Sequence, residues 1–125
     1  MKLSLGIPII VKNARIFGPR GSNKADLLLD TGAAFTVISW SFMKSIGYDP
    51  AIASERQELV TANGIIEVPR LRVKSIIVGD VKANEVEVIC HDIPEIAEIR
   101  GLLGLNFLMN FRTVIDYKQG YLEIS

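Results

Sequence analysis

Three places in the sequence bring together side chains able to do chemistry. The first is Asp30-Thr31-Gly32 in LLLDTGAAFTVIS, residues 27–39, where one carboxylate stands between a run of leucines and a glycine. A carboxylate is costly to bury beside apolar residues unless it is paired or hydrogen-bonded. Thr31 brings a hydroxyl, and Gly32 permits a tight turn or the close approach of another backbone. Taken alone, the tripeptide also fits an ordinary Asp turn after a strand, its carboxylate accepting from nearby N–H groups. The second place is Cys90-His91. Adjacent strand residues point to opposite faces, so this thiol and imidazole are poorly placed to act as nucleophile and base. One Cys and one His are also too few for a zinc site. The third is the acidic group Asp92, Glu95 and Glu98, for which solvated carboxylates are expected. No metal or other cofactor is expected.

The elements that must position these residues read mainly as β. IPIIVKNARIF and KADLLLDTG are extended segments joined by GPRGSN, a turn-rich connection that predicts a hairpin. Ser39 is placed to cap a short helix carrying Phe42, Met43 and Ile46 at helical spacing, with Gly47 to end it. Trp40, Phe42 and Met43 are expected to pack this helix on a sheet. RQELVTANGIIEVPRLRV reads as two strands around Asn63-Gly64, a dipeptide suited to a type I′ turn. LRVKSIIV and NEVEVIC form another pair around GDVKA, with Val86 and Val88 alternating against Glu85 and Glu87. PEIAEI suggests a helical turn and GLNFLMNF a short helix. RTVIDYKQGYLEIS closes as a hairpin around Gln119-Gly120, with Asp116 supporting the turn. One mainly β domain spanning 1–125, with one or two short helices, is the expectation.

Composition narrows the classes of function. The 125 residues carry no net charge, so nothing pulls the chain as a whole toward nucleic acid or an anionic membrane. No apolar run approaches the roughly 20 residues of a membrane span, and Gly6 and Pro8 interrupt the opening MKLSLGIPIIV, which reads as a first strand rather than a signal peptide. The single cysteine, Cys90, excludes an internal disulfide and fits a reducing compartment. A cytoplasmic protein without nucleic-acid or membrane partners is expected.

In chain order, DTGA after three leucines, an Asn-Gly hairpin about thirty residues on, and IRGLLGLNFL beyond it resemble the retropepsin-like aspartic proteases. These are single-domain relatives of pepsin that work as homodimers. The resemblance covers nearly the whole chain. IIVKNARIFGPRGSNKADLLLDTGAAFTVIS looks like the first hairpin and catalytic loop, LVTANGIIEVPRLRV like the flap, and SIIVGDVKANEVEVICHDIP like the strand pair after it. GLLGLNFL is similar to the hydrophobic-hydrophobic-Gly element that crosses behind the catalytic loop. The ending FRTVIDYKQGYLEI looks prokaryotic rather than viral. Many retroviral members pair an acidic residue after the Ala with an Arg after the second glycine. Here those positions are Ala34 and Leu105, so that pair is absent and an apolar contact is expected in its place. The helix after Ser39 and the stretch between His91 and Gly101 also exceed the viral pattern.

The resemblance implies a retropepsin-like acid protease fold, a closed antiparallel β-barrel-like domain, and peptide-bond hydrolysis by two carboxylates that share a proton. A chain with one such motif supplies one carboxylate. It implies a C2 homodimer in which Asp30 meets its symmetry mate, Thr31 hydroxyls bond across the interface, and Gly32 admits substrate backbone. YLEIS and the N-terminal strand are the expected interface elements. Peptide or protein substrate is expected to lie against Ala33, Phe35, Val37 and Leu102 under a flap tip of Asn63, Gly64 and Ile65, with Arg100 near the wall or simply solvated. Pepsin-like motifs often carry Ser where Ala33 stands, so a less acidic working range than pepsin's is expected. The alternative is a noncatalytic dimeric domain of the same fold that binds extended peptides.

Overall fold

Alternation of buried and exposed side chains sets the long strands of the computed structural model, which describes residues 1–93 and 98–125. Strand β1 is Lys2–Ser4, and β2, Ile10–Gly18, buries Val11, Ala14 and Ile16. Strand β3, Gly21–Leu29, buries Ala25 and Leu27. Gly18 pairs with Gly21, so only Pro19 and Arg20 turn the chain and most of GPRGSN is strand. Strand β4, Thr36–Ile38, is buried throughout. Helix α1, Trp40–Ser45, starts at Ser39, whose Oγ accepts from the Phe42 N–H at 3.4 Å. Phe42, Met43 and Ile46 are all buried in the core.

Strands β5, Glu55–Thr61, and β6, Gly64–Val78, form the hairpin around Asn63-Gly64 in a shifted form. Thr61 pairs with Gly64, leaving Ala62 and Asn63 as the turn. A type I′ turn needs positive φ at both central residues; of the expected pair only Gly64 has one, +117°. Strand β7, Val81–Cys90, returns along the second half of β6. Val86 and Val88 are buried, and Glu85 sits at φ +52° at the one position left out of the β6–β7 ladder, between the Val73↔Val86 and Ser75↔Asn84 pairs. Strand β8, Gly101–Leu103, leads into helix α2, Leu105–Leu108. Of PEIAEI, residues 94–99, where a helical turn is expected, 94–97 lie outside the described residues.

Six strands close a barrel in the order β2-β3-β8-β4-β7-β6, and β6 completes it by pairing with β2 through Arg15↔Ile77 and Phe17↔Ser75. Most neighbours are antiparallel, but β3–β8 and β4–β7 run parallel. Strand β5 and the first half of β6 form an arm beyond the barrel. Ile16, Leu27, Ile38, Leu103 and Phe107 are fully buried inside, each stabilising the fold by about 1.5–3 kcal/mol through burial of apolar surface. A second sheet combines β1 with β9, Thr113–Asp116, and β10, Tyr121–Ile124, in the order β1-β10-β9. Asp116 supports the β9–β10 turn, its Oδ1 accepting from the Gln119 N–H at 2.8 Å.

Strand β8 lies between β3 and β4 with little room. A Cβ on Gly101 would sit 1.9 Å from the Val37 carbonyl oxygen, backbone that cannot yield without moving β4. Gly101→Ala is expected to destabilise the fold by about 3 kcal/mol or more, measured as a lower urea midpoint at unchanged m-value.

Candidate active site

Asp30 follows the last residue of β3, and its loop is held by backbone on both sides. The Leu29 N–H donates to Ile9 O at 2.9 Å and the Asp30 N–H to Leu103 O at 3.0 Å. Beyond the turn, the Leu105 N–H donates to Ala33 O at 2.8 Å and the Asn106 N–H to Ala34 O at 3.1 Å. The start of α2 therefore clasps the stretch after Gly32. Gly104 lies so close to this stretch that a Cβ would be 2.5 Å from Phe35 O. Ala34, through its carbonyl, and Leu105, through its N–H, are thus both members of the clasp.

A buried polar knot backs the clasp. Thr36, fully buried, donates its N–H and Oγ1–H to Asn106 Oδ1 at 2.8 and 2.9 Å, and its Oγ1 accepts from the Gly104 N–H at 3.1 Å. Asn106 Nδ2 donates to the Glu87 carbonyl of β7. Every polar atom of the Thr36 side chain thus has a partner, as burial requires.

The Asp30 side chain is half-buried, and Oδ1 accepts from the Gly32 N–H at 2.9 Å, an Asx-type turn. Thr31 and Gly32 are exposed at the loop tip. Asp30 opens onto a cleft of about 410 Å³. Of the residues read from the sequence, Asp30, Gly32, Ala33, Phe35, Val37 and Leu102 border it. Thr31, Asn63, Gly64 and Ile65 do not line it; the last three form the exposed end of the arm. The arm contributes Gln57, Glu58 and Leu59 to the lining, and β7 contributes Ile89. Arg100 is exposed and borders a different recess with Trp40 and Lys44.

Cys90 and His91 face apart. The thiol is buried, whereas His91 is half-buried and borders the cleft. Burial pushes the Cys90 thiol up to about 12, and the charge of Asp92 acts in the same direction. Among the described residues no group of three or more His, Cys, Asp or Glu is arranged to hold a metal ion, and no helix is long and apolar enough to cross a membrane.

A six-stranded barrel with a projecting hairpin arm and a DTG loop clasped from behind by a Gly-containing strand-helix element defines a retropepsin-like aspartic protease fold. The family model described as "gag-polyprotein putative aspartyl protease" matches residues 20–110, and the chain belongs to that family. Among solved structures, a retropepsin-like aspartic protease from Rickettsia conorii superposes with a TM-score of 0.75 at 19% identity, over 99% of this chain and 88% of the other. It shares the fold and is a prokaryotic member, in keeping with the ending of this chain. No curated protein matches.

Two measurements check the site's construction. Asn106→Ala leaves the buried Thr36 N–H without its acceptor and is expected to cost about 2–4 kcal/mol in urea denaturation. Asn106→Asp keeps the acceptor and is expected to cost less. The thiol, protonated well above its ordinary range, is expected to resist alkylation at pH 8 in the folded protein and to react on unfolding. The sign for stability follows. The folded state holds this proton to higher pH than the unfolded chain, so the contribution is complete below about pH 9 and declines as pH rises toward 12.

Proposed function

We propose that this chain is an aspartic endopeptidase whose active site is completed by a second copy. The observation that carries the reading is the fixed presentation of one carboxylate, Asp30, at the mouth of an apolar cleft. The loop around it is held by backbone hydrogen bonds to Ile9, Leu103, Leu105 and Asn106. Such pre-organisation is what a positioned acid or base requires.

In the assembled dimer the two Asp30 carboxylates lie at the axis and share one proton, because like charges about 3 Å apart do not both ionise. The ionised member takes a proton from a water that attacks the scissile carbonyl. The protonated member donates a hydrogen bond to that carbonyl's oxygen and then supplies the proton that the leaving amine needs. Thr31, exposed at the loop tip, hydrogen-bonds to the partner loop, and Gly32 lets substrate backbone approach. The arm closes over the substrate; its exposed Val60, Ile65 and Ile66 gain apolar cover as water leaves.

The second sheet narrows how copies meet. Both edges of β10 are occupied within one chain, by β1 and β9. The C-terminal strand therefore cannot take a partner strand without losing one of its own, and the outer edges of β1 and β9 are the positions that can add one. The test is a peptide-library cleavage assay on wild type and Asp30→Asn, run beside analytical ultracentrifugation. Cleavage is expected to fall by on the order of 10³ or more in the variant, to be blocked by a statine-type transition-state analogue, and to track the dimer fraction. A monomer with undiminished activity sinks the two-copy site. Peptide binding equally strong in both proteins, without cleavage, supports a binding module instead.

A further inference from the structure

The polar end of the cleft carries a donor whose direction is set from outside it. Gln57 lies on β5, half-buried, and lines the cleft beside Leu59. Across the hairpin, Arg70 uses its whole fork. Nε and Nη2 donate to Glu55 Oε2 at 3.2 and 2.8 Å, and Nη1 donates to Gln57 Oε1 at 3.1 Å. Nε also lies 3.8 Å from Glu87 Oε2, and Arg72 Nη2 donates to Glu87 Oε1 at 2.9 Å. The guanidinium is thereby tied to β5 on one side and to the barrel strand β7 on the other.

A guanidinium only donates, so the group facing Arg70 has to be the amide oxygen of Gln57. The amide nitrogen then turns away from Arg70. One of its hydrogens has a long contact to the Glu58 carbonyl, 3.4 Å, and the other has no partner among the described residues. Gln57, with its amide orientation fixed and one N–H free, thus borders a cleft whose apolar walls include Phe35, Leu59, Ile89 and Leu102.

We infer that Gln57 is a specificity-determining residue, held by Arg70 as a positioning residue, and that its Nε2 donates to the side-chain carbonyl of a glutamine in the bound peptide. The apolar walls cover the methylenes of such a side chain, and the amide end meets a directed donor. A carboxylate would offer the same oxygen, but Asp30 and Glu58 also border the cleft, against one imidazole, His91, so the neutral amide fits better. This inference rests on the substrate cleft of the proposed protease. It adds which side chain that cleft selects.

Peptide sets with Gln, Met or Glu placed in turn at each position around a cleaved bond test it. Met matches Gln in length and lacks the acceptor. Wild type is expected to favour Gln over both by about five- to tenfold in kcat/KM at one position, the span of one hydrogen bond. Gln57→Met is expected to bring the Gln/Met ratio to about one. Gln57→Glu keeps an oxygen for Arg70, removes the donor, and is expected to do the same. Arg70→Lys loses the fork, and an intermediate ratio is expected; a purely structural role would change activity with all peptides alike. A ratio that persists in both Gln57 variants, or a preference for Glu, overturns the inference. Binding of uncleavable versions of the peptides to Asp30→Asn separates it from the catalytic reading. Preferred binding of the Gln peptide with no wild-type cleavage counts against the protease and for Gln57. Equal binding, or none, counts against Gln57 whatever the wild type cleaves.

Discussion

The site depends on the passage of β8 between β3 and β4. Gly101–Leu103 pairs parallel to Leu27–Leu29 on one side, and its Gly101 and Leu102 pair antiparallel to Ile38 and Val37 on the other. A strand in that position brings its carboxyl end, and the helix that follows, directly behind the turn that carries Asp30. The consequence is that the DTG loop is fixed mainly by main-chain hydrogen bonds rather than by its own side chains. Two glycines make this possible. A side-chain carbon on Gly101 would overlap the Val37 carbonyl of β4, and one on Gly104 the Phe35 carbonyl just before it, and no flexible group is available to move aside.

Much of this was legible in the sequence, for reasons that can be named. The strands with strict alternation, Val86 and Val88 against Glu85 and Glu87, lie in β7 as read. Ser39 caps the helix whose apolar positions fit a 3.6-residue repeat. The ordered motifs, DTG, hairpin and Leu-Leu-Gly, identify the barrel because each occupies a fixed place in it. Local chemistry misled where tertiary pairing decides. The turn at Asn63-Gly64 is displaced by one residue because the Thr61↔Gly64 pairing fixes the register, and Gly64 supplies positive φ from within the strand. GPRGSN looks like loop by composition, yet its Gly21 and Ser22 are held in the ladder opposite Gly18 and Phe17.

Two groups of functional interest left weaker signals. Asn106 stands in GLNFL as an ordinary helix residue; that it binds Thr36, seventy residues earlier, follows only from the β8 passage. Gln57 and Leu59 enter the cleft because β5 alternates, but so does every other strand. Period alone does not say which face of an arm looks inward. The clue available was the spacing of charges. Glu55 and Arg70 stand directly opposite in the hairpin register, with Arg72 against Glu87 on the next strand. Cross-strand pairs of opposite sign mark one face, and Gln57 shares it with Glu55.

That placement of charge has a further consequence. Around the DTG loop no ion pair stands at Ala34 and Leu105, the positions that the retroviral pattern gives to one. An exposed ion pair contributes about 0–1 kcal/mol and is weakened by salt, so the backbone clasp and the buried Thr36–Asn106 knot hold the loop with little lost. The charged residues Glu55, Arg70, Arg72 and Glu87 instead link the arm to the barrel, at partly exposed positions where salt screens them. The carboxylate's immediate support is therefore insensitive to ionic strength, while the attachment of the arm that borders the cleft is sensitive to it. The main-chain and buried contacts are concentrated around Asp30, and the screened, partly exposed contacts lie between the arm and the barrel.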